Sequence, residues 1–214
     1  MSVRMRKKKN LVPRLEACAA FLEREPAQRK GSWASLFPSS ARLALEIGCG
    51  KGKFTARTAE TDPDQALVAL ERVPEALVMA VEKAARLALP NVRYVIGDAD
   101  DLADYFAEGE LDRIYVNFCD PWPKKKQARR RLVYRGYLAV YSSLLKEGGE
   151  VFFKTDNAPL FDFALEEAAA AGFEIREVSR DLAASGIPNV TTEYEEKFMA
   201  LGTPINRAVF HKAR

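Results

Sequence analysis

The sequence predicts an α/β fold: a doubly wound, mostly parallel seven-stranded sheet with an antiparallel last strand. Three observations predict it. Short apolar segments recur along the chain, the stretches between the first five carry helical periodicity, and a glycine-rich turn follows the first segment directly. Parallel neighbours need crossovers of roughly a dozen residues or more. The fixed hand of those crossovers sets helices on both faces of one open, Rossmann-like sheet.

The predicted strands are Leu43 to Ile47, Ala66 to Leu70, Val92 to Ile96, Arg113 to Phe118, Glu150 to Lys154, Phe173 to Val178 and Ile205 to His211. Between the second and third, Pro74 to Leu87 reads as a helix with its proline at the favourable first turn. The link between the last two strands, Ser179 to Pro204, is polar and rich in turn residues, which suits a final strand running antiparallel. Ahead of the sheet, residues 1–40 read as a basic N-terminal arm and helix: the basic start is expected to be mobile, a helix runs through Leu11 to Arg24, and Pro38-Ser39-Ser40 forms the entry. Residues 41–214 then form a single domain, since 214 residues with 48% hydrophobic content suffice for one full core.

Composition excludes several classes. No apolar run approaches the roughly 20 residues of a membrane helix, and the basic start lacks the apolar stretch of a signal peptide, so a cytosolic protein is expected. Cys18, Cys49 and Cys119 are odd in number and widely spaced, which favours neither a disulfide framework nor a metal site. The net charge of +3 is unremarkable, but its distribution is patchy. Seven basic side chains fall between Lys124 and Arg135, and a second cluster occupies the first fourteen residues.

The turn after the first strand reads Glu46-Ile47-Gly48-Cys49-Gly50-Lys51-Gly52, at the sheet edge where open α/β folds bind ligands. Gly48 and Gly50 let a ligand approach the backbone, although such a turn can also be only a tight connection. A dinucleotide fingerprint wants its third glycine one residue later, where Lys53 stands. Glu46 would repel a pyrophosphate but suits a cationic amino group and sulfonium, as in S-adenosyl-L-methionine. Glu71, about twenty residues past the loop, stands where ribose hydroxyls are read. In Gly97-Asp98-Ala99, Asp98 can accept from an adenine amino group while the Ala99 backbone serves a ring nitrogen.

The fourth strand ends in Asn117-Phe118-Cys119-Asp120-Pro121-Trp122-Pro123, a proline-stiffened loop with an aromatic face for a base and a carboxylate for the N–H donors of guanine. Lys124-Lys125-Lys126-Gln127-Ala128-Arg129-Arg130-Arg131 follows, and beside a base-sized site its natural reading is phosphate binding, with Lys124 and Arg129 among the contacts. Lys154-Thr155-Asp156-Asn157 and Thr191 to Phe198 can border the same site. Thr192 and Glu195 also have capping-box spacing, which is compatible with recognition. His211 receives no catalytic role.

These residues resemble the bacterial tRNA (guanine-N7)-methyltransferases from about Leu43 to the C-terminus. The glycine turn is similar to methyltransferases at large. Asp120-Pro121-Trp122-Pro123-Lys124, Thr155-Asp156-Asn157 and Thr192-Glu193-Tyr194-Glu195-Glu196-Lys197-Phe198 resemble this family in particular. The resemblance implies methyl transfer from S-adenosyl-L-methionine to N7 of a guanine in the tRNA variable loop. It implies Glu46, Glu71, Asp98 and Asp120 around the cofactor, and Lys124, Asp156, Thr192, Glu193, Tyr194 and Glu195 facing the tRNA. Lys126-Gln127 departs from the family's usual Arg-His. N7 carries no proton to remove, so positioning dominates and Asp120 is the expected catalytic carboxylate. Methylation of an exocyclic base amine and a non-catalytic nucleic-acid-binding module are the alternatives. The sequence leaves monomer or homodimer open.

Overall fold

The computed structural model describes residues 8–38 and 42–213. The expected mobility of the basic arm falls largely on residues 1–7, and Ser39 and Ser40 of the predicted entry likewise lie outside the described residues. The chain divides into two compact units, Met1–Ala107 and Glu108–Arg214.

The first unit holds α1 (Leu11–Ala17), β1 (Arg42–Ile47), α2 (Lys53–Thr61), β2 (Gln65–Glu71), α3 (Pro74–Arg86), β3 (Val92–Ile96) and the single turn α4 (Leu102–Tyr105). β2 pairs parallel with β1 and with β3, the register setting Glu46 opposite Ala69 and Glu71 opposite Ile96. Every residue of β2 is buried, as expected of a parallel strand covered on both faces. α3 buries Leu77, Val78, Ala80, Val81 and Ala84, following the helical period read from the sequence.

The predicted helix through Arg24 stops seven residues earlier, at Ala17. Cys18 leaves helical geometry at φ −114°, Ala19–Phe21 forms a 3-10 turn, and Leu22 makes a parallel bridge to Tyr94. The edge of β3 has captured the chain here, since Glu23 N–H also donates to the Tyr94 carbonyl at 2.9 Å. A bidentate Arg14–Glu82 pair (2.6 and 2.7 Å) fastens α1 to α3. Trp33 is fully buried, stacks on Phe106 at 5.2 Å and donates its indole N–H to the Tyr105 carbonyl.

The second unit holds β4 (Leu111–Asn117), α5 (Arg135–Leu144), β5 (Leu145–Thr155), α6 (Ala158–Ala170), β6 (Phe173–Ser179), α7 (Glu193–Met199) and β7 (Asn206–Lys212). β4 and β5 are parallel, whereas β7 runs antiparallel to both β5 and β6. β5 begins at Leu145 rather than Glu150, passing through Gly148 at φ +74° with a register irregularity against β4. The seven strands form one sheet, mostly parallel with an antiparallel last strand as the sequence predicts, and their order is β3-β2-β1-β4-β5-β7-β6. No helix among the described residues is long and apolar enough to cross a membrane.

Candidate active site

In the first unit, the turn from β1 to α2 is fastened by β2. Gly48 and Cys49 both donate to the Leu70 carbonyl, at 2.8 and 3.0 Å. Gly50 N–H donates to one Glu71 carboxylate oxygen at 3.0 Å and Val73 N–H to the other at 2.8 Å. Glu71 therefore does not end its strand by reaching for solvent. It is buried and ties the glycine turn to the start of α3.

The three glycines differ in what they allow. Gly48 (φ +79°) and Gly50 (φ +57°) face open space, with nothing within 4 Å of an added Cβ. At Gly52 (φ +70°) a Cβ would stand 2.5 Å from that of Ala80, so this glycine serves the packing of the turn on α3. The open pair fits a ligand lying along the backbone. Glu46 is buried beneath the turn, where it accepts a hydrogen bond from the buried Thr55 hydroxyl at 2.5 Å. Cys49 is a buried filler whose thiol burial pushes well above its usual range.

Asp98 caps the 3-10 turn Ala99–Asp101, accepting from Asp100 N–H at 3.3 Å. Gly97 before it is dictated by contact, because a Cβ would come 2.9 Å from the Tyr105 ring and 3.0 Å from Leu70. Sequence reasoning missed Ile96. It stays 43% exposed at the end of a strand whose other apolar residues are buried, and offers an apolar face two residues before Asp98. Acidic groups, open glycines and this aliphatic face along one strand edge fit the donor set for a cationic adenosine derivative.

In the second unit, the loop after β4 is held in an unusual shape. Phe118 (φ +53°) and Trp122 (φ +40°) both adopt left-handed backbone, which costs a non-glycine residue about 1–2 kcal/mol. The surroundings supply the compensation. Phe118 N–H donates to the Lys154 carbonyl at 2.9 Å. The Arg131 guanidinium donates to the carbonyls of Pro121 and Trp122 (3.0 and 3.1 Å) while lying 4.2 Å over Phe163. Within this loop Asp120 is exposed. Burial and the neighbouring Asp120 charge push the Cys119 thiol up to about 12, which keeps it protonated and un-nucleophilic.

The basic run divides by partner. Lys124, Lys125, Lys126 and Arg129 are exposed, and Arg130 lies 4.2 Å over the Trp122 ring. Arg131 holds the loop, and Arg135 forks onto Glu167 at 2.7 and 2.8 Å, so these two serve the fold. Phe163, under the Arg131 guanidinium, and Glu167, the partner of Arg135, both lie thirty-two residues away in α6, beyond any local reading.

Segments that the sequence expects to face the substrate do meet. Phe118 packs on Tyr194 at 5.0 Å, and Tyr194 stacks on Phe198 at 4.3 Å. Burial, together with the negative charge of Asp156, raises the Tyr194 hydroxyl's pKa. Thr192 and Glu195 form a complete capping box at the start of α7, where Glu193 is exposed. Glu195 is wholly buried and bound to Lys154 at 2.7 Å.

A family model described as "Putative methyltransferase" matches residues 40–208. A curated tRNA (guanine-N(7)-)-methyltransferase of Geobacillus thermodenitrificans is 42% identical over 206 residues, covering 96% of this chain and 95% of its own. The chain belongs to the tRNA (guanine-N(7)-)-methyltransferase family. A second member, from Clostridioides difficile, is likewise 42% identical, over 96% of this chain and 97% of its own. Among solved structures, the 16S rRNA methyltransferase KamB aligns with a TM-score of 0.65 at 17% identity, covering 86% of this chain and 94% of its own. An antibiotic-related methyltransferase aligns with a TM-score of 0.64 at 18% identity over the same shares. At such identities these two show the shared fold alone.

Proposed function

We infer that the protein transfers a methyl group from S-adenosyl-L-methionine to N7 of a guanine in tRNA, and that this guanine lies in the variable loop. The observation that carries the reading is near-full-length similarity, at 42% identity, to curated tRNA (guanine-N(7)-)-methyltransferases. Residues 41–214 carry the transferase and residues 1–40 are an accessory segment, in keeping with a family match that begins at residue 40.

S-adenosyl-L-methionine, when bound, supplies a methyl group on a sulfonium centre. Glu46, the open Gly48 and Gly50, Glu71, and Asp98 with Ala99 would hold it, the acidic groups favouring its positive charge over a pyrophosphate. Guanine N7 presents an in-plane lone pair without a proton, so the chain needs no general base and can work by holding the base in line. As N7 is alkylated the purine becomes cationic, and Asp120 stabilises that charge. Lys124 and Arg129 bind phosphates, while Asp156, Thr192, Glu193 and Tyr194 border the base. Glu195, buried on Lys154, acts through its neighbours.

Purified protein is incubated with labelled cofactor and unmodified tRNA, and the RNA is digested to nucleosides. Label in 7-methylguanosine mapping to the variable loop is expected. Label on an exocyclic amine, or cofactor binding without transfer, overturns the reading.

A further inference from the structure

Lys154 stands one residue from the end of β5 and is 4% exposed, an expensive place for an ammonium. Its three N–H donors meet three oxygens: Asn189 Oδ1 at 3.0 Å, the Val190 carbonyl at 2.9 Å and Glu195 Oε2 at 2.7 Å. Its backbone carbonyl accepts Phe118 N–H, the entry to the Asp120 loop. Glu195 also accepts from the Asn189 amide and from Thr192 N–H. One residue thus joins the loop after β4, the segment at 189–190 and the first turn of α7. Phe118, held by the Lys154 carbonyl, packs on Tyr194 of the same turn at 5.0 Å. Stability alone does not call for this device, because a buried ion pair seldom outperforms well-packed apolar side chains of the same volume.

We propose that Lys154 is a positioning residue for the methyl acceptor, fixing the Asp120 loop, Thr192 and Tyr194 relative to one another around the guanine. The proposal rests on the tRNA-methylating function inferred above.

Lys154→Met alone strands a buried carboxylate and unfolds readily, so the informative variant is Lys154→Met/Glu195→Leu, which removes both charges together. Thermal melting should stay near wild type, and calorimetric affinity for S-adenosyl-L-homocysteine should stay within roughly twofold, while the single-turnover rate at saturating tRNA falls about 100-fold, the effect of slight misplacement. A folded double variant that keeps the wild-type rate overturns the proposal. Asn189→Ala is a second test that leaves the ion pair intact at an exposed position. It should lower the single-turnover rate about tenfold, the worth of one hydrogen bond, without changing cofactor affinity. An unchanged rate there also counts against Lys154. Wild-type protein that forms no 7-methylguanosine refutes the function itself, whereas active wild type beside an equally active double variant refutes only the positioning role.

Discussion

Thr55 donates its hydroxyl hydrogen to the carboxylate of Glu46, with both side chains buried beneath the glycine turn. A hydrogen bond to a charged group contributes about 1.5–3 kcal/mol, and this one fixes which way Glu46 points. Thr55→Val should weaken S-adenosyl-L-homocysteine binding by about tenfold or more. Thr55→Ser should restore most of it, and tRNA affinity should not move. Calorimetric titration of the three proteins decides the matter, and a valine variant with wild-type affinity would remove Glu46 from the cofactor site.

Gly50 and Gly52 share left-handed backbone but not their surroundings. Gly50→Ala meets open space and should cost about 1–2 kcal/mol for the backbone alone. Gly52→Ala also meets Ala80 and should cost about 2–5 kcal/mol in all. Urea denaturation of the two variants measures the difference, and equal losses would contradict the packing role given to Gly52.

The division of the basic run predicts two phenotypes. Lys124→Ala and Arg129→Ala should each flatten the log–log salt dependence of tRNA binding by about 0.7–0.9 and leave stability unchanged. Arg135→Ala should do the reverse, because its guanidinium is committed to Glu167. Filter binding across a salt series, read beside thermal melting, separates them.

Glu167 carries a pH-dependent share of stability. The Arg135 hydrogen bonds, opposed by burial, hold its carboxyl below the ordinary 4.5. The unfolded chain therefore binds a proton more readily in that window, so the contribution is complete above 4.5 and lost as pH falls through the depressed folded value. Glu167→Gln should destabilise by about 1–3 kcal/mol at pH 7. Chemical denaturation at neutral and strongly acidic pH should show that the penalty shrinks in acid, and a constant penalty would contradict the ion-pair account.

The strand pattern was legible because parallel strands buried on both faces must be short and apolar, and β3 falls on Val92 to Ile96 as read. What stayed hidden depended on partners distant in sequence. Leu11 to Arg24 has helical composition, yet Leu22 is taken by the edge of β3. Leu145 to Gly149 lies outside the predicted fifth strand but extends β5, where Leu145 pairs with Leu111. The same limit applies to the site. Glu46, the glycines and the Asp120 loop announce themselves by spacing, and Thr192 and Glu195 by their capping pattern. The ties of Arg131 to Phe163 and of Lys154 to Glu195 exist only once the chain has folded.

The most direct test of N7 as the acceptor uses tRNA transcribed with 7-deazaguanosine, which keeps every other edge of the base but has carbon in place of N7. The account predicts that this RNA takes up no label, yet competes with unmodified tRNA for the protein at comparable affinity. Methyl transfer to the 7-deaza tRNA would place the reaction on another atom and contradict the account.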